Sequence, residues 1–524
     1  MLFDIAACLR QGKQASKPVP NTVAPATRAL DPPGCPDPLS MVRRGAVCPS
    51  LLRAALQLTP MFDNETLPRD AAARPDPVFT PRTALAPRRY RAVTAAQLDQ
   101  PLLRSRLDEA ARFEMRVVAS VLPFRVNDYV IRDLIDWSRV PDDPVFRLTF
   151  PHRDMLEPEA FERLAELHRR GAPKQEIAGL VQEIRAGLNP HPALQMELNL
   201  PRNDDGERLN GLQHKYRETV LFFPKNGQVC HAYCTFCFRW AQFVGDKNLR
   251  IAASDARLML NYLGEHREVT DLLMTGGDPM IMRTANLASY LEPLLAPEYD
   301  HVQHVRFGTK ALTFWPYRFV SDPDADELLR LIESLAEAGK HVAVMAHFNH
   351  GQEMRTEIAH EAIRRLRDAG AEIRTQSPLL RHINDSATAW ADMWREQVRL
   401  GMIPYYMFVE RDTGARRYFE VPLARAWSIY RDATRSLSGL ARTARGPSMS
   451  AGPGKVEVQG VTEIAGEKVF VLRFIQGRNP DWVQRPFLAQ YDERASWLDQ
   501  LRPWGESEFF FEPEYRRICA AAGA

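Results

Sequence analysis

No apolar run in this chain approaches the ~20 residues that a helix needs to cross a bilayer, so helical membrane spans are not expected. Neither sign of charge prevails. With 68 Lys and Arg against 66 Asp and Glu, nothing favours a nucleic-acid partner held by bulk electrostatics. A secretory leader is not expected either, because Met-Leu-Phe-Asp-Ile-Ala-Ala-Cys-Leu has an acid inside its short apolar stretch and no basic lead-in. Cysteine is scarce, seven in 524 residues, and is scattered rather than spaced as a disulfide framework. That suits a reducing cytoplasm.

Proline is the exception to this even composition. The first 90 residues hold 14 of the 39 prolines with little periodicity between them, and such a segment buries too little apolar surface to offset its ordering entropy. It reads as a disordered leader over 1–90, with one short helix near 50–58. Residues 91–209 read as a helical N-terminal domain, since 95–121 and 158–188 place apolar residues at intervals of three and four. From 210 the period changes. Strand-like runs at 219–223, 269–275, 302–308, 341–346, 372–376 and 403–408 alternate with amphipathic helices. That alternation predicts an α/β fold with a parallel sheet, a partial (β/α)6 barrel over 210–425, with its chemistry at the C-terminal ends of the strands. Residues 426–524 read as a mixed C-terminal segment, with strands near 456–459 and 468–475.

Three of the seven cysteines fall within eight residues, as Cys230-His-Ala-Tyr-Cys234-Thr-Phe-Cys237, just after the first of these strands. Thiolates at this spacing can wrap one face of an iron–sulfur cluster, and a cubane with three protein ligands keeps one iron open to a small molecule. A structural zinc site is the alternative, but such sites are usually closed by four ligands, and the only cysteine further on is Cys519. After the second strand comes Thr275-Gly276-Gly277-Asp278-Pro279, where two glycines let the backbone approach a ligand closely. His347 and His350 stand three apart at a strand end and read as hydrogen-bonding groups rather than a metal pair.

The cysteine run and the Gly-Gly-Asp-Pro turn resemble those of the radical SAM superfamily. The resemblance narrows with His214-Lys215-Tyr216, Arg306-Phe307-Gly308-Thr309-Lys310, His347-Phe348-Asn349-His350, the run 376–385, Pro404-Tyr405-Tyr406 and Ala451-Gly452-Pro453-Gly454-Lys455. In this order they are similar to the lysine 2,3-aminomutase family, over roughly residues 110 to 475. The resemblance implies an isomerase that moves an α-amino group to the β-carbon of an amino acid. It implies a [4Fe-4S] cluster on Cys230, Cys234 and Cys237, and S-adenosyl-L-methionine on that cluster and near Gly276, Gly277 and Asp278. It also implies pyridoxal 5′-phosphate on Lys455, with Lys215 and Tyr216 near the phosphate. Arg239 matches the arginine for the substrate carboxylate. An electron donor such as flavodoxin or ferredoxin follows from the same resemblance, and a homo-oligomer is compatible with it.

The match is uneven. Phe236 and Thr219 replace a histidine and an arginine of the family near the cofactor. Asp385 matches one of two aspartates that hold the distal ammonium of lysine, and Ser448 stands at the place of the other. The expected substrate is therefore a basic amino acid held less tightly, or one with a smaller or partly polar tail. Two other classes stay open: a radical SAM enzyme of another reaction that no longer uses pyridoxal phosphate, and a non-catalytic cluster-binding protein.

Overall fold

The structure is a computed structural model and describes residues 85–245 and 249–523. The expected leader lies outside them up to residue 84, together with the helix near 50–58. All described residues belong to one unit, Pro75–Ala524. Among them no helix is long and apolar enough to cross a membrane.

The helical region is more broken than its periodicity suggests. A short ribbon pairs β1 (Ala92–Thr94) with β2 (Arg125–Asn127). Between them the chain forms the helix Glu109–Val121, started by the Asp108 side chain, which accepts from Ala111 N. Pro158–Arg169 and Lys174–Gly187 are separate helices, because Gly171 turns at φ +64° and Pro173 cannot continue the first one.

An 11-stranded sheet follows. In chain order its strands are β3 (Leu212–Tyr216), β4 (Thr219–Phe222), β5 (Asp271–Met274), β6 (His304–Thr309), β7 (His341–His347), β8 (Glu372–Leu379), β9 (Ile403–Val409), β10 (Arg445–Ser450), β11 (Gly454–Ile464), β12 (Glu467–Gly477) and β13 (Pro486–Gln490). Strands β4 to β9 pair in parallel, each with the next, and β10 adds in parallel to β9. The helices Ala256–Glu265, Thr284–Leu291, Ala325–Glu337, Glu357–Asp368 and Ala387–Arg399 fall between the parallel strands. They are amphipathic: Ala325–Glu337 buries Leu328, Leu329, Leu331, Ile332 and Leu335. The six expected strands overlap β4 to β9.

Five strands were not in that expectation or were shorter in it. β3 forms an antiparallel hairpin with β4, and β10 and β13 flank a long hairpin of β11 and β12. That hairpin turns at Ala465 and Gly466, both at positive φ. The C-terminal strands thus extend the sheet itself.

The sheet curls strongly. β10 and β3 are seven steps apart in its order, about 34 Å if the sheet were flat. Yet Lys215 Nζ on β3 donates to the carbonyl of Ala451, just past β10, at 2.5 Å. Strands β3 and β10 therefore approach each other beside an interior cavity.

Candidate functional site

This interior cavity has a volume of about 410 Å³. Cys230, Cys234, Cys237, Arg239, Gly276, Gly277, Asp278, Lys215, Tyr216 and Lys455 all line it. Residues from β3, the cysteine loop, the ends of β5 to β9, and the C-terminal hairpin share one wall.

The cysteine loop is held by backbone bonds from several sides. Tyr233 N donates to Arg125 O at 2.8 Å and Thr235 N to Leu148 O at 2.9 Å, both in the helical region. Gly277 N and Asp278 N each donate to Gly227 O at 3.0 Å. Both glycines stand close against the start of the cysteine loop. A Cβ on Gly277 would lie 2.5 Å from Val229 N, and one on Gly276 would meet the Gln228 side chain. What approaches them is the start of the cysteine loop.

Asp278 faces the cavity with both oxygens engaged. Oδ1 accepts from Met280 N at 2.9 Å and Thr309 Oγ1 at 2.6 Å, and Oδ2 from Lys310 N at 2.9 Å. It ties the ends of β5 and β6 together. Burial raises its pKa to about 6, against those hydrogen bonds.

All three thiols are half-buried, and burial pushes each one up, Cys237 to about 11. A group that binds them as thiolates must displace protons. Among the described residues no three His, Cys, Asp or Glu side chains converge as ligands of one metal ion. A cubane asks for something different, since each thiolate takes its own iron. Three sulfurs opening on one cavity, each within range of another's charge, fit a cluster held by three cysteines. Cys519 is not on this wall.

Next to the thiols stands Arg239. Its guanidinium lies 4.3 Å from the ring centroid of Phe223 and 5.3 Å from that of Phe238, and its hydrogen bond to Gly276 O is long at 3.5 Å. Burial lowers its pKa to about 10. Among the described residues it has no carboxylate partner, and a desolvated arginine of this kind is suited to an anionic ligand. Thr219 donates to Asp271 at 3.2 Å, and Asp271 pairs with Arg306 at 2.6 Å. Phe236 packs against Phe419, ring centroids 6.3 Å apart. His347 Nε2 contacts Gln376 Nε2 at 2.7 Å and is kept neutral by burial, its pKa lowered to about 3. His350 caps a turn instead, accepting from Gln352 N at 3.2 Å.

Lys455 lies opposite Ser450 in the β10–β11 register. Its Nζ donates to Gln476 Oε1 at 3.0 Å and sits 4.2 Å from the Tyr406 ring centroid. Burial, then the charges of Arg445 and Arg306, lower its pKa to about 7. A lysine that is half neutral near pH 7 can attack an aldehyde, so this wall fits a carbonyl cofactor.

Two expected substrate contacts are placed elsewhere. Asp385 is not on the wall. It follows a turn whose Leu380 and Ile383 are drawn into a separate core with Trp240, Tyr418 and Phe419. His382, which feels the charge of Asp385, faces a different cleft of about 810 Å³. Ser448 is fully buried, its Oγ without a partner among the described residues, while Ser450, two residues on, reaches the cavity. The distal end of the pocket is thus not built from these two positions.

Sequence reasoning missed four charged wall residues: Asp271, Glu410, Arg411 and Arg478. Glu410 is 5% exposed, and burial pushes its carboxyl well up, against the pull of Arg411. Its position just past β9 is the available signal, because strand C-termini carry function in such folds.

No family model matches the chain. A curated protein of Aquifex aeolicus (strain VF5) with a provisional L-lysine 2,3-aminomutase name is 29% identical over 393 residues, 75% of this chain and 91% of its own. The L-lysine 2,3-aminomutase of Bacillus subtilis (strain 168) is 27% identical, covering 59% of this chain and 64% of its own. That of Escherichia coli (strain K12) is 27% identical over 46% of this chain and 66% of its own. Among solved structures, a radical SAM methyltransferase from Sphaerobacter thermophilus aligns with 56% of this chain and 92% of its own at 14% identity, with a TM-score of 0.33 that is too low to weigh. The chain is thus similar, at 27–29% identity, to proteins named L-lysine 2,3-aminomutase.

Proposed function

We propose that this protein is a radical SAM aminomutase, an isomerase that moves the α-amino group of an amino acid to its β-carbon. It uses a [4Fe-4S] cluster on Cys230, Cys234 and Cys237, S-adenosylmethionine and pyridoxal phosphate. The observation that carries this reading is one cavity lined both by the three thiols and by Lys455, a half-buried lysine with a pKa of about 7. The curled run β4 to β9 is then a partial (β/α)6 barrel with the site at its C-terminal mouth.

When bound, the cluster and S-adenosylmethionine supply one-electron hydrogen-abstraction chemistry, and pyridoxal phosphate supplies an aldehyde that takes up an amine. The chain positions and encloses. Arg239 binds the substrate carboxylate, and its aromatic neighbours keep the guanidinium desolvated, which strengthens that pairing. Gln476 accepts from the Lys455 amine and aims it into the cavity. Tyr405, Tyr406 and Phe408 line the wall and exclude water from the reacting centre. The cluster requires a reducing cytoplasm and an electron donor such as flavodoxin or ferredoxin.

Anaerobic reconstitution followed by turnover with a panel of amino acids tests this. One β-amino acid product, read by NMR, is expected. Cleavage of S-adenosylmethionine with no amino acid isomerised would favour a radical enzyme of another reaction. No cleavage at all would favour a cluster-binding protein without catalysis.

The panel also tests the pocket. Asp385→Asn is expected to leave substrate KM unchanged, because Asp385 is off the wall. If a cationic side chain is accepted, Glu410 is the carboxyl that meets it. Loss of that charge-assisted bond in Glu410→Gln is then expected to raise KM for cationic amino acids roughly tenfold or more and to spare neutral ones. Equal effects on both substrate types would show that Glu410 does not read the side chain.

A further inference from the structure

We infer that the C-terminal helix belongs to the amine site: Tyr515, carried on that helix, is a positioning residue that braces the turn presenting Lys455. This rests on the reading above that Lys455 is the reactive amine. The helix, Glu512–Gly523, lies beyond residue 475, where the family resemblance ends. Tyr515 does not line the interior cavity, so it acts from behind the wall.

Lys455 stands at a weak point of the sheet. It follows the four-residue turn 451–454 between β10 and β11, and the pairing of β11 with β12 shifts register between Lys455 and Val456. A bulge of this kind re-aims a side chain but interrupts the ladder that would hold the strand end. The turn is held from outside instead. Lys215 Nζ donates to Ala451 O at 2.5 Å, Arg478 Nε to Gly452 O at 2.9 Å and Arg478 N to Pro453 O at 3.0 Å. Three successive carbonyls are thereby fixed. Packing by Tyr515 completes the hold. A Cβ on Gly452 would lie 2.0 Å from Tyr515 Oη and 2.9 Å from its Cζ, so glycine is what lets the ring tip rest on the main chain.

Tyr515 is itself fixed. Its hydroxyl bonds with the Cys519 side chain one helical turn further on. Glu514 Oε2 accepts from Asn479 Nδ2 at 2.8 Å and from Trp482 Nε1 at 3.1 Å, both just past β12. Phe511 meets Phe474 of β12 edge to face, ring centroids 5.0 Å apart. Helix, β12 and turn thus form one unit around the bulge. An amine on a flexible four-carbon stem stays at Gln476 only while its root is held, and a loosened turn lets it swing toward water.

The test labels full-length protein, without added cofactor, by pyridoxal and borohydride across a pH series, and follows the label on the Lys455 peptide. In the native protein burial, then the charges of Arg445 and Arg306, hold this amine at a pKa of about 7. Tyr515→Ala is expected to expose it further, moving the midpoint of the rate profile up by about one pH unit or more and slowing the label at pH 7 roughly fivefold. Glu514→Ala, at a residue that lines no part of the cavity, is expected to shift the midpoint the same way. Tyr515→Phe keeps the ring and is expected to stay near the native midpoint. Gly452→Ala is expected to act like Tyr515→Ala, yet to add nothing in a Tyr515→Ala background, because the two residues meet.

A tyrosine that only stabilised the C-terminal core would lower the melting temperature and leave the midpoint in place. Unchanged midpoints in folded Tyr515→Ala and Glu514→Ala therefore overturn the inference, as does a full added effect of Gly452→Ala in the Tyr515→Ala background. Circular dichroism shows whether each variant is folded, and Gly452→Ala carries the test if Tyr515→Ala is not. If native Lys455 takes no label, the amine reading fails separately. Hydrogen exchange then decides the brace: faster exchange over 451–456 in Tyr515→Ala, with β4 to β9 unchanged, upholds it, and equal exchange overturns it.

Discussion

Replacing Cys230, Cys234 and Cys237 together by alanine is expected to abolish iron retention and all cleavage of S-adenosylmethionine. Each single replacement should do the same, because a cubane left with two protein ligands is poorly held. The fold should survive. The loop is fixed by main-chain bonds to the carbonyls of Arg125 and Leu148 and from the N–H groups of Gly277 and Asp278, none of which involves a thiol. Circular dichroism and melting temperature provide that control. Cys519→Ala is expected to change nothing in iron content, since Cys519 is off the wall. A triple variant that keeps full iron after anaerobic reconstitution and still cleaves S-adenosylmethionine would end the cluster assignment.

The second large effect is expected at Lys455. Lys455→Ala should abolish amino-acid turnover and the covalent pyridoxyl label that borohydride fixes, yet leave S-adenosylmethionine cleavage measurable. The two losses separate because Lys455 rides on β11 while the cysteines ride on the loop after β4. A pyridoxyl label on any other lysine refutes the assignment. The pH dependence gives an independent check. With a pKa of about 7, half of Lys455 is neutral at pH 7, against about one in 3,000 for a lysine titrating near 10.5. The neutral amine is the nucleophile, so the rate of label formation by added pyridoxal phosphate should rise through pH 7 and level off above it. A rate still climbing toward pH 10 would mean that burial does not tune this amine.

The alternation of β4 to β9 with helices was legible because each strand carries buried apolar residues, as in Leu272 and Met274 of β5, and each helix buries one face. β3 and β10 were not. Leu-Gln-His-Lys-Tyr is mostly polar, and Arg-Gly-Pro-Ser-Met-Ser carries a Gly-Pro pair that reads as a loop. Tertiary pairing with β4, β9 and β11 overrides those local signals. Motif spacing brought the cysteines, Arg239 and Lys455 to a common wall. It could not tell which way the turn before Asp385 faces, because that is decided by Leu380 and Ile383 entering another core. Arg411 and Arg478 look in sequence like ordinary surface charges, and only the curl of the sheet turns them inward.

The outer edge of β3 carries one further consequence. His214 N donates to Asn199 O at 2.8 Å, so the chain entering from the helical region covers an edge that would otherwise present open main-chain donors and acceptors. An exposed edge of this kind templates strand addition by a neighbouring molecule. A fragment starting at residue 210 would keep Cys230, Cys234, Cys237 and Lys455 but bare that edge. Its weakness would be self-association in concentrated solution, not missing chemistry.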